Sequence, residues 1–136
     1  MTQTTPETRG PRRRGTATVE LAVCLPVLTL LVFGSMQACD MIYLKHGLTT
    51  AAYEGSLEIA RPDANNITVS ARIKQVLGLR GVTNGTYFFT AAENIQDLSP
   101  GDPVTISITA PVDENLMVSG FFGTPSVLTV NFECTR

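Results

Sequence analysis

Gly15 and Glu20 stand between three consecutive arginines and residues 21–39, a stretch with no charged side chain. Glycine ahead of the glutamate makes a flexible, accessible peptide bond that a protease can reach. A carboxylate at the start of so apolar a run is costly in lipid unless it is paired or held at the interface. Two chemistries follow: proteolysis near Gly15, and pairing of Glu20 with a cation. A simpler reading has Glu20 answering Arg12, Arg13 and Arg14 at the interface, without processing.

Other reactive residues are sparse. His46 is the single histidine, and no Cys or carboxylate cluster at ligand spacing joins it, which argues against zinc. No Ser-His-Asp or Cys-His arrangement assembles around it. Asp97, Asp102, Asp113 and Glu114 are scattered without the spacing of a calcium loop. Gly78, Gly81 and Gly85 read as loop glycines and do not open a helix as a phosphate cradle must. The expectation is a non-enzyme with no cofactor, no metal and no small-molecule substrate.

Three cysteines are too few for a disulfide scaffold. Cys24 lies in the apolar run as a small hydrophobe. Cys39 and Cys134 have two readings: a disulfide tying the C-terminus to the first helix, or two separate buried thiols. A third reading makes Met36-Gln37-Ala38-Cys39 a degenerate lipoprotein signal with Cys39 lipidated, which the length of the run, Met36 and Gln37 all fit poorly. Phe121 and Phe122, in an apolar connection, are candidates for a partner interface.

The elements that position these residues are legible in outline. Residues 1–15 hold Pro, Gly, Thr and Arg with almost nothing to bury, and read as a disordered or removable leader. The apolar run that follows is long enough for a helix to cross a bilayer. Pro26 is tolerated there, with a kink as its expected effect. Four of the ten basic residues, Arg9, Arg12, Arg13 and Arg14, precede the run, leaving six against eleven of the twelve acidic residues from Thr16 onward. That asymmetry predicts an N-terminus in the cytoplasm and a C-terminal domain outside. An arginine run beside a membrane span, in an otherwise acidic chain, points away from nucleic acid.

Helical periodicity continues past the span. Met41, Leu44, Leu48, Ala51, Ala52, Gly55 and Ile59 share one face, and Lys45, Glu54 and Glu58 fall off it. Arg61-Pro62 supplies the stop. A second, shorter helix is predicted from Val69, Ile73, Val76 and Leu77, with Asn66 as cap and Gly78 at its end. The period then changes to two. Asn84-Gly85 precedes a strand at residues 86–91, Pro100-Gly101-Asp102-Pro103 precedes a second through Val104, Ile106, Ile108 and Ala110, and a third covers residues 127–134. The predicted architecture is α+β: a long N-terminal transmembrane helix continues into a small extracytoplasmic domain, with a second short helix and a three-stranded antiparallel sheet. The expected divisions are 1–15 cytoplasmic leader, 16–39 transmembrane helix and 40–136 extracytoplasmic domain.

Gly15-Thr16-Ala17-Thr18-Val19-Glu20 resembles the prepilin cleavage pattern, in which a peptidase cuts after Gly and Glu holds the fifth mature position. RRGTATVELAVCLPVLTLLVFG looks like the opening of the TadE-like family, minor pilins (pseudopilins) of the tight-adherence pilus. LTTAAYEGSLEIAR, residues 48–61, is similar to that family's small-residue stretch, and GDPVTISITAPV, residues 101–112, to its late strand. The resemblance implies a single-pass protein of the bacterial inner membrane, cut between Gly15 and Thr16 by a prepilin peptidase. Its implied partners are membrane lipid and other pilin and pilus-assembly subunits. Leu21 after the glutamate and the FECTR terminus depart from the pattern. A membrane-tethered binding module outside any pilus, or a lipoprotein anchored at Cys39, are the alternatives.

Overall fold

The computed structural model describes residues 14–90, 94–118 and 123–136. One uninterrupted helix, α1 (Arg14–Ile59), takes up 46 residues, about 69 Å at 1.5 Å per residue. It runs straight through the expected boundary between residues 39 and 40. Pro26 lies inside it; lacking an N–H, it leaves the carbonyl of Ala22 without its usual donor. The hydroxyls of Thr29 and Ser35 donate back to the carbonyls of Pro26 and Val32, each at 2.8 Å, so these polar groups are satisfied within the helix. The helix stops where Arg61-Pro62 was expected to end it, and an exposed Arg61–Glu58 pair at 3.2 Å closes the turn.

The second helix, α2 (Asn66–Leu79), corrects the expected cap by one residue. Asn65, not Asn66, is the N-cap: its Oδ1 accepts from the N–H groups of Ile67 and Thr68 at 2.9 and 2.8 Å, while Thr68 Oγ1 accepts from Asn65 N at 3.1 Å. Asn66 instead turns outward, and its Oδ1 accepts from Ile95 N at 2.9 Å. Asn65→Ala is expected to cost about 1 kcal/mol, read as a lower urea midpoint for the domain; an unchanged midpoint would remove the cap's role.

Gly78 lies within α2 rather than after it. Gly81, at φ +69°, makes the reversal instead. Val82 N donates to Leu77 O at 2.9 Å and Gly81 N to Gly78 O at 3.1 Å, the paired bonds of a Schellman ending.

Three antiparallel strands follow, β1 (Thr86–Thr90), β2 (Pro103–Pro111) and β3 (Val127–Thr135), in the order β1-β2-β3. Ala91, expected in the first strand, lies outside the described residues. A 3-10 turn at Ile95–Asp97 precedes the central strand. Register sets Phe89 against Ile106 and Tyr87 against Ile108, and on the other side Ile106 against Phe132 and Ile108 against Val130. With period two, all of these point to one face. That face is covered by α1 and α2. The core joins Leu44, Leu48, Ala51, Ala52 and Ile59 of α1 to Val69, Ile73, Val76 and Leu77 of α2 and to Val104, Ile106, Ile108 and Ala110 of β2.

The small-residue stripe of α1 is used up in this packing. Ala51 and Ala52 are fully buried. A Cβ on Gly55 would lie 2.8 Å from Ile73 Cγ1 and 3.4 Å from Ile106 Cδ1. Small side chains here let a helix and a sheet approach α1 at once. A second tie between the helices is polar: Glu54 accepts from Arg72 at 2.7 Å, on a partly exposed surface.

Candidate functional site: a bare helix and its two ends

The first half of α1 has no cover among the described residues. Val19, Leu21, Val23, Val27, Leu31 and Val32 are all more than half exposed. Fully burying one such side chain is worth about 1.5–3 kcal/mol, so a rod of them standing in water would be strongly unfavourable. By length and composition, α1 is a candidate membrane-crossing helix. Its nearest charges sit at Glu20 and Asp40. Twenty residues of helix separate them by about 30 Å, the thickness of a bilayer's hydrocarbon core.

At the near end, Gly15 and Thr16 occupy the first turn of α1, and Gly15 has no atom close to where a Cβ would sit. N–H groups of a first turn have no intrahelical acceptor, so the Gly15–Thr16 bond lies in the part of the helix held least firmly. Thr16 and Glu20 are four residues apart and therefore on one face; both are exposed.

The far end is tied to the domain. Asp40, the first charge after the span, accepts from the backbone N–H of Met117 at 3.1 Å. One turn earlier Gln37 is buried, only 2% exposed, where its neighbours on α1 are open. Sequence reasoning missed both residues; the signal for Asp40 was its place as the first charge after the run.

The structure does not bring Cys39 and Cys134 together, which corrects the disulfide reading. Both are free thiols, Cys39 exposed and Cys134 half-buried. Tyr53 meets Phe132 edge-on at 6.3 Å, and Cys39 lies fourteen residues before Tyr53, about 21 Å along the axis. Cys134 is farther still, beyond Phe132 towards the strand end that lies by Ala60 and Arg61. A disulfide needs Cα atoms within about 7 Å. Burial pushes the Cys134 thiol above its ordinary pKa, which keeps it protonated and a poor nucleophile. Cys39 is not the buried thiol of the second reading either, since its side of α1 is open.

Phe121 and Phe122 lie outside the described residues. His46 is exposed on α1 beside Ile42, Lys45 and Thr49. Among the described residues no group of His, Cys, Asp and Glu is placed to hold a metal ion.

The C-terminal tail acquires a structural task. The Arg136 guanidinium donates to the carbonyls of Ile95 and Gln96 at 2.6 and 2.8 Å and also to that of Leu98. It pins the 3-10 turn to the end of β3. On the sheet's inner side, hydrogen bonds from Ser70 and Lys74 hold the Tyr87 hydroxyl below its usual pKa, which ties α2 to β1.

Residues 15–57 match the family model for TadE-like proteins. The chain carries a TadE-like segment. The match begins at Gly15, runs without a break through Glu20, Cys39 and Asp40, and ends two residues before α1 does. It stops short of α2 and the sheet, so the likeness lies in the long helix. No curated protein and no solved structure matches the chain. The TadE-like match covers about a third of the chain and falls on the same bare apolar helix that is the candidate membrane span.

Proposed function

We propose that the chain is a non-catalytic minor pilin, or pseudopilin, that takes part in assembling a Tad-type pilus. In this reading a prepilin peptidase cuts between Gly15 and Thr16 on the cytoplasmic side of the inner membrane. Thr16 becomes the first residue and Glu20 the fifth. The helix crosses the bilayer once, its arginine-flanked end inside, and the α+β domain stands outside to meet other pilin and assembly subunits.

The observation that carries the reading is the coincidence of three landmarks on one helix. The TadE-like match starts at Gly15, the uncovered apolar surface follows it, and Glu20 and Asp40 bracket a length that suits one bilayer. Glu20 then has a use that a simple anchor lacks. At the membrane boundary it can pair with the new α-amino group of a neighbouring subunit, so that neither charge stands alone in lipid.

Mass spectrometry of the chain purified from a pilus-expressing bacterium tests this directly. The expected product lacks residues 1–15 and starts at Thr16. An intact Met1 would leave a membrane-tethered binding module, and a lipid adduct on Cys39 would establish a lipoprotein; either outcome removes the pilin reading.

A further inference from the structure

The connection after β2 descends along α1 to the level of the outer end of the span. Its base is held firmly. Asn115 Nδ2 donates to the carbonyls of Thr83 and Pro111 at 2.9 and 2.7 Å, and its Oδ1 accepts from Thr83 N at 2.7 Å. Glu114 is turned back to accept from Asn84 at 2.5 Å. Leu116 packs against the domain core. Beyond these fixed residues, Met117 is presented with 94% of its surface exposed.

Its position is set by two independent contacts with α1. Met117 N is bonded to Asp40, and Met117 and Val118 line one apolar cleft with Ser35, Met36, Cys39 and Asp40. Ser35, Met36 and Cys39 belong to the charge-free run. With its backbone bonded to Asp40 and its side chain almost wholly exposed beside the apolar run, Met117 lies at the level where lipid would surround the span. We infer that residues 117–118 form a second membrane contact, with Met117 entering the boundary between headgroups and acyl chains of the outer leaflet. Methionine suits this place, being flexible, apolar and able to fill an irregular medium. Interfacial apolar side chains reach about 5–10 Å below the headgroups, a depth open to a residue anchored at the first charge beyond the core. The contact would fix the tilt and rotation of the molecule in the bilayer, where a single span leaves both free.

This inference rests on α1 being the membrane span, and the test separates the two claims. The chain has no tryptophan, so single replacements report without background. Met117→Trp, Leu30→Trp in mid-span and Ile67→Trp at the exposed start of α2 are each made in the full chain. Each is reconstituted in phosphatidylcholine vesicles, with and without lipids brominated high on the acyl chain. Met117→Trp is expected to show blue-shifted emission and to lose more of it to these bromines than Leu30→Trp does, the order reversing with bromines near the chain ends. Ile67→Trp is expected to keep its emission in both. Ile67 is 81% exposed, so this variant controls for tryptophan's own taste for interfaces. If Met117→Trp behaves like Ile67→Trp while Leu30→Trp is quenched, the loop contact is overturned and the span stands. If Leu30→Trp is not quenched, both fall. A Met117→Trp signal that becomes shielded only when a second pilus subunit is co-reconstituted would make the patch a protein interface and also overturn the lipid contact.

Discussion

Gly55→Leu is expected to abolish cooperative folding of the outer domain, while leaving the apolar half of α1 helical in detergent. The position is enclosed on two sides. A Cβ alone would lie 2.8 and 2.9 Å from Cγ1 and Cδ1 of Ile73 and 3.4 Å from Cδ1 of Ile106. Ile73 and Ile106 are fully buried, so neither can swing into solvent. Gly55→Ala separates two opposing effects. Exchange of glycine for alanine in a helix favours folding by about 1 kcal/mol, whereas overpacking a filled core costs about 1–3 kcal/mol. The net expectation is a loss of about 1 kcal/mol for alanine, and for leucine a loss beyond about 3 kcal/mol, large against the total stability of a small domain.

The near-ultraviolet signal of Tyr53, which packs on Phe132, and of Tyr87 reports the domain rather than the span. Urea titration of that signal is the measurement. Ile73→Ala removes both crowded carbons, so Gly55→Ala combined with Ile73→Ala should be less damaging than the sum of the single changes, by about 0.5 kcal/mol or more. Strict additivity, or a gain in stability from Gly55→Ala alone, would mean that α1 and α2 are not in the close approach described.

Glu20→Gln is the second large effect, and it acts on assembly rather than on folding. The side chain is exposed on α1 and far from the domain core, so the urea midpoint should not move. Cleavage should persist, since the bond at Gly15 and the arginines before it are untouched. In the proposed pairing, what changes is the partner's α-amino group, which then lacks its counter-charge at the edge of the hydrocarbon. An unpaired charge in that setting costs about 3 kcal/mol, on the order of a hundredfold in association. Co-purification with the other pilus subunits, quantified against the unaltered chain, is the readout. Full recovery of the complex would show that Glu20 has no pairing task, whatever the state of the N-terminus.

Both predictions concern positions that the sequence itself marks, though for different reasons. Gly55 belongs to a stripe of small residues on α1, which by itself suits close approach of either a helix or a sheet. Periodicity identifies a face without identifying what covers it. The fold assigns that face to α2 and β2, so it is unavailable to a second subunit. Asn65 and Asn66 show the same limit at finer scale. Adjacent asparagines are equally good caps in isolation, and the choice follows from Ile95 N, 29 residues beyond Asn66, which needs an acceptor and finds it there.

The cysteines illustrate how a rigid element overrules a plausible pairing. Cys39 and Cys134 looked joinable because each ends an apolar segment. A helix, however, converts sequence separation into fixed length, and β3 runs with its C-terminal end towards the far end of α1. The two thiols are thereby kept apart. Arg136 gained a role by the same geometry, since the strand that carries Cys134 away from the membrane delivers the terminal arginine to the carbonyls around Ile95.

Local patterns alone determined the long helix and its apolar face, its charge-free stretch, the second helix, the three strands and the inward face of the second strand. Such features follow from hydrophobic period, proline placement and turn residues, which act over a few neighbours. Only the tertiary structure decided what covers that face of α1, which asparagine caps α2, where the cysteines lie and that Asp40 holds Met117 beside the apolar run. Each of these depends on groups brought together from distant parts of the chain, and a one-dimensional pattern carries no record of that distance.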